Sequence, residues 1–211
     1  MRQLLKISFF LAFVISQTAY GQMSIGISTG LNYSTNKFDE VIYASPKART
    51  DFFIGVSPSF SISEKINLSV TTQYSRKGYQ NENDCMLCSS VGLEYRSSYI
   101  DVIPEIEYKL LGFLTAGVGF NYGFLINEQS RFENNKWSEI QELISPSDFG
   151  LTGKLKVTHN NFFGLVRYNF GLKNISNISF SDENGDLIVG VKQYNRNLQL
   201  GVGYAFNAKK K

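Results

Sequence analysis

The chain has 211 residues, with 21 Lys and Arg against 18 Asp and Glu, a formal net charge of +3. Charge so nearly balanced argues against nucleic-acid binding, which needs a basic patch or stripe, and the length suits one domain. The 17 Phe, 12 Tyr and 18 Gly beside only 4 Pro are the composition of many short strands in a sandwich or barrel.

The first segment, MRQLLKISFFLAFVISQTAYGQ, starts with Arg2 and Lys6 and continues into an apolar run over 7–15, broken by Ser8. Ala19-Tyr20-Gly21 then supplies a small-x-small cleavage pattern, so residues 1–21 read as a secretory signal peptide. The apolar run is shorter than the roughly 20 residues of a membrane helix. No Cys follows the cleavage position, which argues against a lipoprotein anchor. The mature chain is expected to start near Gln22 and to form one β-barrel domain over 22–211.

Beyond residue 21 no stretch approaches a membrane helix, so membrane residence would have to use strands. Alternation of apolar and polar side chains, the period of a strand, predicts eight of them, over 23–33, 52–62, 66–77, 95–110, 112–125, 148–157, 162–173 and 193–207. The fifth is typical: Leu114, Ala116, Val118, Phe120, Tyr122 and Phe124 share one face, opposite Thr115, Gly117, Gly119, Asn121 and Gly123. Each strand is near or above the ~9–11 residues that cross a bilayer at a tilt. Pro58 and Pro104 cannot donate to a ladder and are expected to mark bulges or irregular pairing.

Connections alternate in length. Short ones are predicted over 63–65, 111–112 and 158–161, and long polar ones over 35–51, 80–94, 127–147 and 174–192. Tight turns at one end and long loops at the other are how bacterial outer-membrane barrels are built, with the loops outside. A soluble, lipocalin-like barrel or a sandwich is the competing architecture. Its water-facing side would be rich in Lys and Glu, whereas here that face carries mainly Gly, Ser, Thr, Asn and Gln. Aromatics gather near strand ends at Tyr33, Tyr74, Tyr108, Tyr122, Tyr204 and Phe206, where an interfacial girdle would lie. The fold class expected is therefore an all-β, eight-stranded antiparallel up-and-down transmembrane barrel.

Four segments carry a family likeness: GISTGLNYS (26–34), SDFGLTGKL (147–155), RYNFGLKNIS (167–176) and NRNLQLGVGYAF (195–206). Together they resemble the PorT-like outer-membrane β-barrel proteins common in Bacteroidota. The resemblance covers essentially the mature chain, and its motifs describe a barrel rather than an active site. It implies an eight-stranded outer-membrane protein of a family mostly without known biochemical activity. One named member supports a dedicated secretion system, and nothing in this chain selects that role. Five residues, including Lys209, Lys210 and Lys211, follow the terminal aromatic Phe206, a departure from the usual barrel ending.

An eight-stranded interior is just wide enough for side chains to fill. The pattern sends Asp101, Glu105 and Glu107 inward from the fourth strand, Lys154 and Lys156 from the sixth and Arg167 from the seventh. Buried charges need partners, so a cross-lumen ion-pair network is expected, the functional alternative being a cation or proton path. The single histidine, His159, falls in a turn at the periplasmic end, away from outer-leaflet chemistry, so no catalytic residue is assigned. Cys85-Met86-Leu87-Cys88 lacks the βαβ context of a redox motif and further ligands for a metal, and in an exported chain it reads as a small disulfide. No metal or cofactor is expected.

The longest loop offers Arg131, Phe132, Trp137, Ile140, Leu143 and Ile144 as a contact surface or a cap on the barrel mouth. The spacing from Trp137 to Ile144 suggests a short amphipathic helix. The whole reads as a monomeric outer-membrane barrel in contact with outer-membrane lipids, serving structurally or binding a protein or envelope partner through its outer loops. The runner-up is a lipid-modifying membrane enzyme, and an accessory barrel of a secretion system is a third possibility.

Overall fold

The structure, a computed structural model, describes residues 23–39, 46–81, 92–132, 135–140, 143–177, 179–181, 187–190 and 192–207. The expected signal peptide and the Cys85–Cys88 pair lie outside the described residues.

The strands are β1 (Met23–Asp39), β2 (Pro46–Ser61), β3 (Ile66–Asn81), β4 (Leu93–Lys109), β5 (Leu114–Phe132), β6 (Ser138–Glu139), β7 (Ser147–His159), β8 (Phe162–Gly171), β9 (Ser179–Ser181), β10 (Leu187–Gly190) and β11 (Lys192–Asn207). Eight long ones, β1, β2, β3, β4, β5, β7, β8 and β11, pair each with its chain neighbour, and β11 returns to β1 to close an antiparallel barrel. Closure runs in one unbroken register, from Ser24 opposite Asn207 to Asp39 opposite Lys192. β6 pairs with the outer end of β5, while β9 and β10 form a small separate hairpin.

The side-chain faces are inverted relative to a water-soluble protein. Gln73, Asp101, Glu107, Arg167 and Gln199 are almost wholly buried, while Leu31, Val118, Phe120, Leu155, Val166 and Val202 are exposed. Val118 and Val202 each keep 66 % of their surface open. In water that outer face would forgo roughly 1.5–3 kcal/mol per large apolar side chain. Against hydrocarbon it costs nothing, and a closed barrel leaves no unpaired edge to the lipid. The lipocalin-like alternative would place these apolar side chains inside, and they are outside.

All eight predicted strands form, and most run further outward than predicted. β1 continues to Asp39, β2 begins at Pro46, β3 ends at Asn81 and β5 reaches Phe132, so much of the expected loop 35–51, the two ends of 80–94 and the start of 127–147 are strand. Apolar alternation reports only the lipid-crossing portion. Above it both faces meet polar surroundings and backbone pairing continues without the sequence signal. The β7–β8 turn is tighter than the expected 158–161, because His159 pairs with Phe162 and only Asn160 and Asn161 remain to turn the chain. Asn160 has φ of 54°, a region that Asn enters more readily than most residues.

Neither proline makes a bulge. Pairing lapses at Pro58 against β3 and at Pro104 against β5, yet the register is the same on both sides of each gap. A proline removes one donor and inserts no residue, so the ladder thins without slipping. The true register shifts lie nearer the outer rim, between Ala48 and Phe53 in β2 and opposite Ser98 and Tyr99 of β4.

Candidate functional site

The lumen is filled by a layered polar network. On the turn side, Glu107 accepts hydrogen bonds from Lys154 (2.7 Å), Lys156 (2.7 Å) and Ser69 (2.9 Å). Lys154 also reaches Glu105 at 2.5 Å. Arg167 donates to Glu105 through Nη2 (2.9 Å) and Nε (3.2 Å). Its remaining donor capacity goes to Gln73 (3.3 Å), Gln199 (3.2 Å) and Thr71 (3.2 Å). One layer outward, Lys77 donates to Asp101 at 2.9 Å and to Asp148 at 3.5 Å, and Gln73 donates to Asp101 at 3.2 Å. Spreading each charge over several partners offsets the several kcal/mol it costs to bury an ion.

The network draws its charges from β3, β4, β7 and β8, and β5 supplies the room. A Cβ on Gly123 would lie 2.7 Å from Asp101 Oδ1, and one on Gly117 would lie 3.3 Å from Lys154 Cε. The inward glycines are therefore the complement of the charged residues facing them. The structure places Asp101, Glu105, Glu107, Lys154, Lys156 and Arg167 together in this network. The strand pattern also carried two members that the charge reading left out. Lys77 continues the inward series of β3 past Ser75, and Asp148 shares the parity of Thr152 and Lys154 in β7. On the turn side of Arg167 the lumen widens into a cavity of about 270 Å³ whose lining includes Ser57, Ser59, Asn67, Lys109 and Phe163.

At the outer end a second cluster surrounds Trp137. The guanidinium carbons of Arg96, Arg49 and Arg131 lie 4.0, 4.6 and 4.7 Å from its ring centroid. Glu94 holds two of these cations, at 2.7 Å from Arg131 and 2.5 Å from Arg49, and Asp51 takes Arg49 Nε at 2.9 Å. Arg96 donates to Gln129 through both Nε and Nη2. Burial pushes the Glu94 carboxyl up, but the hydrogen bond and charge of Arg131 and the charge of Arg49 outweigh it and hold the group below the usual range. Trp137 is half-buried in this arrangement, Phe132 is exposed and Ile140 is half-buried.

The helix expected over 137–144 does not form. Ser138 and Glu139 pair with Ser130 and Gln129 of β5, and Ile140 donates its backbone N–H to Glu128. Ile144 bridges to Ser176 and packs with Tyr99, Ile175 and Leu125 inside the mouth. The open outer edge of β5 satisfies these backbone groups, which outweighs a weak helical spacing. His159 sits exposed at the opposite, turn end of the barrel. Among the described residues no group of three or more His, Cys, Asp or Glu is placed to hold a metal.

Several solved structures are similar to this chain, two of them as follows. One is Ail, the attachment invasion locus protein of Yersinia pestis, at 14% identity, covering 87% of this chain and 98% of that one with a TM-score of 0.46. The other is Neisserial surface protein A, at 13% identity, 86% and 97% coverage and a TM-score of 0.48. No curated protein matches the chain. The family model described as "Outer membrane protein beta-barrel domain" matches residues 15–177, a match that does not single out the PorT-like proteins. On that match and on the closed barrel with its apolar outer face, the chain belongs to the outer membrane protein beta-barrel domain family.

Proposed function

We propose that this outer-membrane protein is a closed-lumen barrel that acts at its outer mouth, as a structural element of the membrane or by binding an envelope or extracellular partner. The observation that carries the reading is the Arg167 layer, where Arg167, Gln73 and Gln199 are buried and bonded across the barrel. A barrel filled at mid-depth has no obvious use for its lumen as a pore, which leaves its ends. The mouth presents a built surface of three arginines around one tryptophan, and Trp and Arg are the residues on which binding energy concentrates. The role is read as non-enzymatic, because His159 lies at the far end and the carboxylates of the Arg167 and Glu107 layers are each tied to a cation. An accessory role in secretion is a narrower alternative that the PorT-like resemblance raises and that no residue of this chain selects.

The test is surface cross-linking of intact cells carrying the wild type or a Trp137→Ala, Arg96→Ala double variant. The wild type should give a discrete adduct that the variant loses, while heat-modifiable migration, the mark of a folded barrel, is unchanged in both. An adduct formed equally by the variant would remove the mouth cluster from the proposal.

A further inference from the structure

A different feature of the mouth points to a bound ligand. In β5 the exposed faces of Phe124 (49 %) and Ile126 (56 %) would, by simple alternation, be followed by an exposed Glu128. Glu128 is instead only 6 % exposed. The cause is a bulge: Ser98 pairs with Asn127 and Tyr99 with Leu125, leaving Ile126 unmatched and reversing the parity beyond it. Bulges characteristically re-aim a side chain in this way. Here one turns a carboxylate from the rim into the barrel.

The backbone N–H groups of Ile144 and Leu143 lie toward the Glu128 carboxylate, but no described residue donates a hydrogen bond to its Oε2. Asn36, 5 % exposed, has its Oδ1 in the same condition. Both residues line one cavity of about 40 Å³, together with Tyr79, Tyr95, Ser97 and Asn195. Tyr79 and Tyr95 are stacked at 4.9 Å. Cations at the mouth are engaged elsewhere: Lys77 with Asp101 and Asp148, Arg131 with Glu94, and Lys173 with the hydroxyls of Ser145 and Ser147. Among the described residues the result is a carboxylate with no ion-pair partner, a second unsatisfied oxygen and aromatic walls around a small space.

We propose that this cavity binds a single small monovalent cation, an alkali ion or a primary ammonium group, on Glu128 and Asn36. Charge argues for one positive unit, since a buried carboxylate is costly unless paired. Hard oxygen ligands suit an alkali ion or an N–H donor, whereas calcium takes six to eight oxygens, usually from several carboxylates. Size argues the same way. About 40 Å³ is open to a water-sized body, above the roughly 10–15 Å³ that one water needs, so the space admits a bare ion or an ammonium head. The tyrosine rings would favour an ammonium further through their π-faces.

The experiment uses the full barrel in lipid nanodiscs at pH 8, with ionic strength held constant by tetramethylammonium chloride. Sodium, potassium and methylammonium chlorides are titrated in separately, following the Asn36 side-chain amide by NMR and the thermal midpoint of the heat-modifiable band. The expected result is a saturable shift with at least one of these cations. Methylammonium alone would identify an amine as the natural occupant, and an alkali ion alone an inorganic one. In Glu128→Gln, apparent affinity read from the thermal midpoint and the Asn36 amide shift should fall by about tenfold or more, and in Asn36→Ser, affinity from the midpoint should weaken likewise. No saturable response in the wild type, or the same response in Glu128→Gln, overturns the proposal.

Discussion

Single residues at the mouth answer to electrostatics that a titration can read. Glu94 lies on β4 beyond the apolar belt and is clamped by Arg131 and Arg49, with its carboxyl held below the usual range. A depressed folded-state value means that its contribution is complete above the ordinary glutamate pKa of about 4.3. The contribution is then lost as pH falls through the depressed value. Trp137 is the only tryptophan of the chain and lies against the same arginines, so its emission reports the clamp. On acidification below the ordinary glutamate range, Trp137 emission should shift as the arginines are released. In Glu94→Gln that acid transition should vanish and the neutral-pH spectrum should already resemble the acid form; an unchanged titration would show that the clamp does not hold the tryptophan. Residue-level legibility was uneven. Glu105 and Arg167 announce themselves as charges on a small-polar face, whereas Lys77 and Asp148 sit toward the outer ends of β3 and β7, where the apolar partner pattern that would flag them fades.

Between strands, the β4–β5 pair shows how a missing donor and a missing side chain work together. Pro104 interrupts the ladder, and opposite it a Cβ on Gly119 would come within 2.0 Å of the Pro104 carbonyl oxygen and 2.9 Å of Glu105 Cα. Because the obstacle is backbone, no rotamer change relieves it. Gly119→Ala should force the two strands apart, at a cost at or above the ~1–3 kcal/mol typical of overpacking, seen as a lower transition temperature of the heat-modifiable band. Gly153→Ala is the control: a Cβ there meets nothing within 4 Å, so its transition should stay where the wild type has it. Equal losses in both variants would mean that glycine matters for strand flexibility rather than for this close approach. The strand ladder also explains why expected bulges and observed bulges differ. Proline is visible in a sequence, but a one-residue slip such as that at Ile126 depends on which residues the neighbouring strand presents.

At the scale of the whole barrel, stability and closure come from the same layer. Arg167 is 1 % exposed and bonds Glu105, Gln73, Gln199 and Thr71, joining β8 to β3, β4 and β11 across the lumen. Arg167→Ala removes one partner of a buried pair, an event worth about 3–5 kcal/mol where no other cation remains. Lys154 still serves Glu105, so the loss should fall near the lower end, measured as reduced heat resistance. Conductance should not rise, because the Lys77–Asp101–Asp148 layer still spans the barrel. In planar bilayers the wild type and this variant should both lack large single-channel steps. Large steps from the wild type would overturn the closed-lumen account, and large steps from the variant alone would make Arg167 the sole seal.

The apolar alternation of eight segments, with short and long connections in turn, was by itself enough to specify a lipid-crossing barrel. Strand periodicity is local, and a bilayer demands it in every strand. Inward charges could likewise be assigned from parity and paired by the cost of burying them alone. What only the tertiary structure decided lies at the outer end: the extension of strands past the membrane, the short strand where a helix was expected, the arginines gathered on Trp137 and the inward turn of Glu128. Each depends on register between segments far apart in the chain, and a single unmatched residue reverses every face beyond it. Local pattern does not record that count; the closed set of strand pairings does.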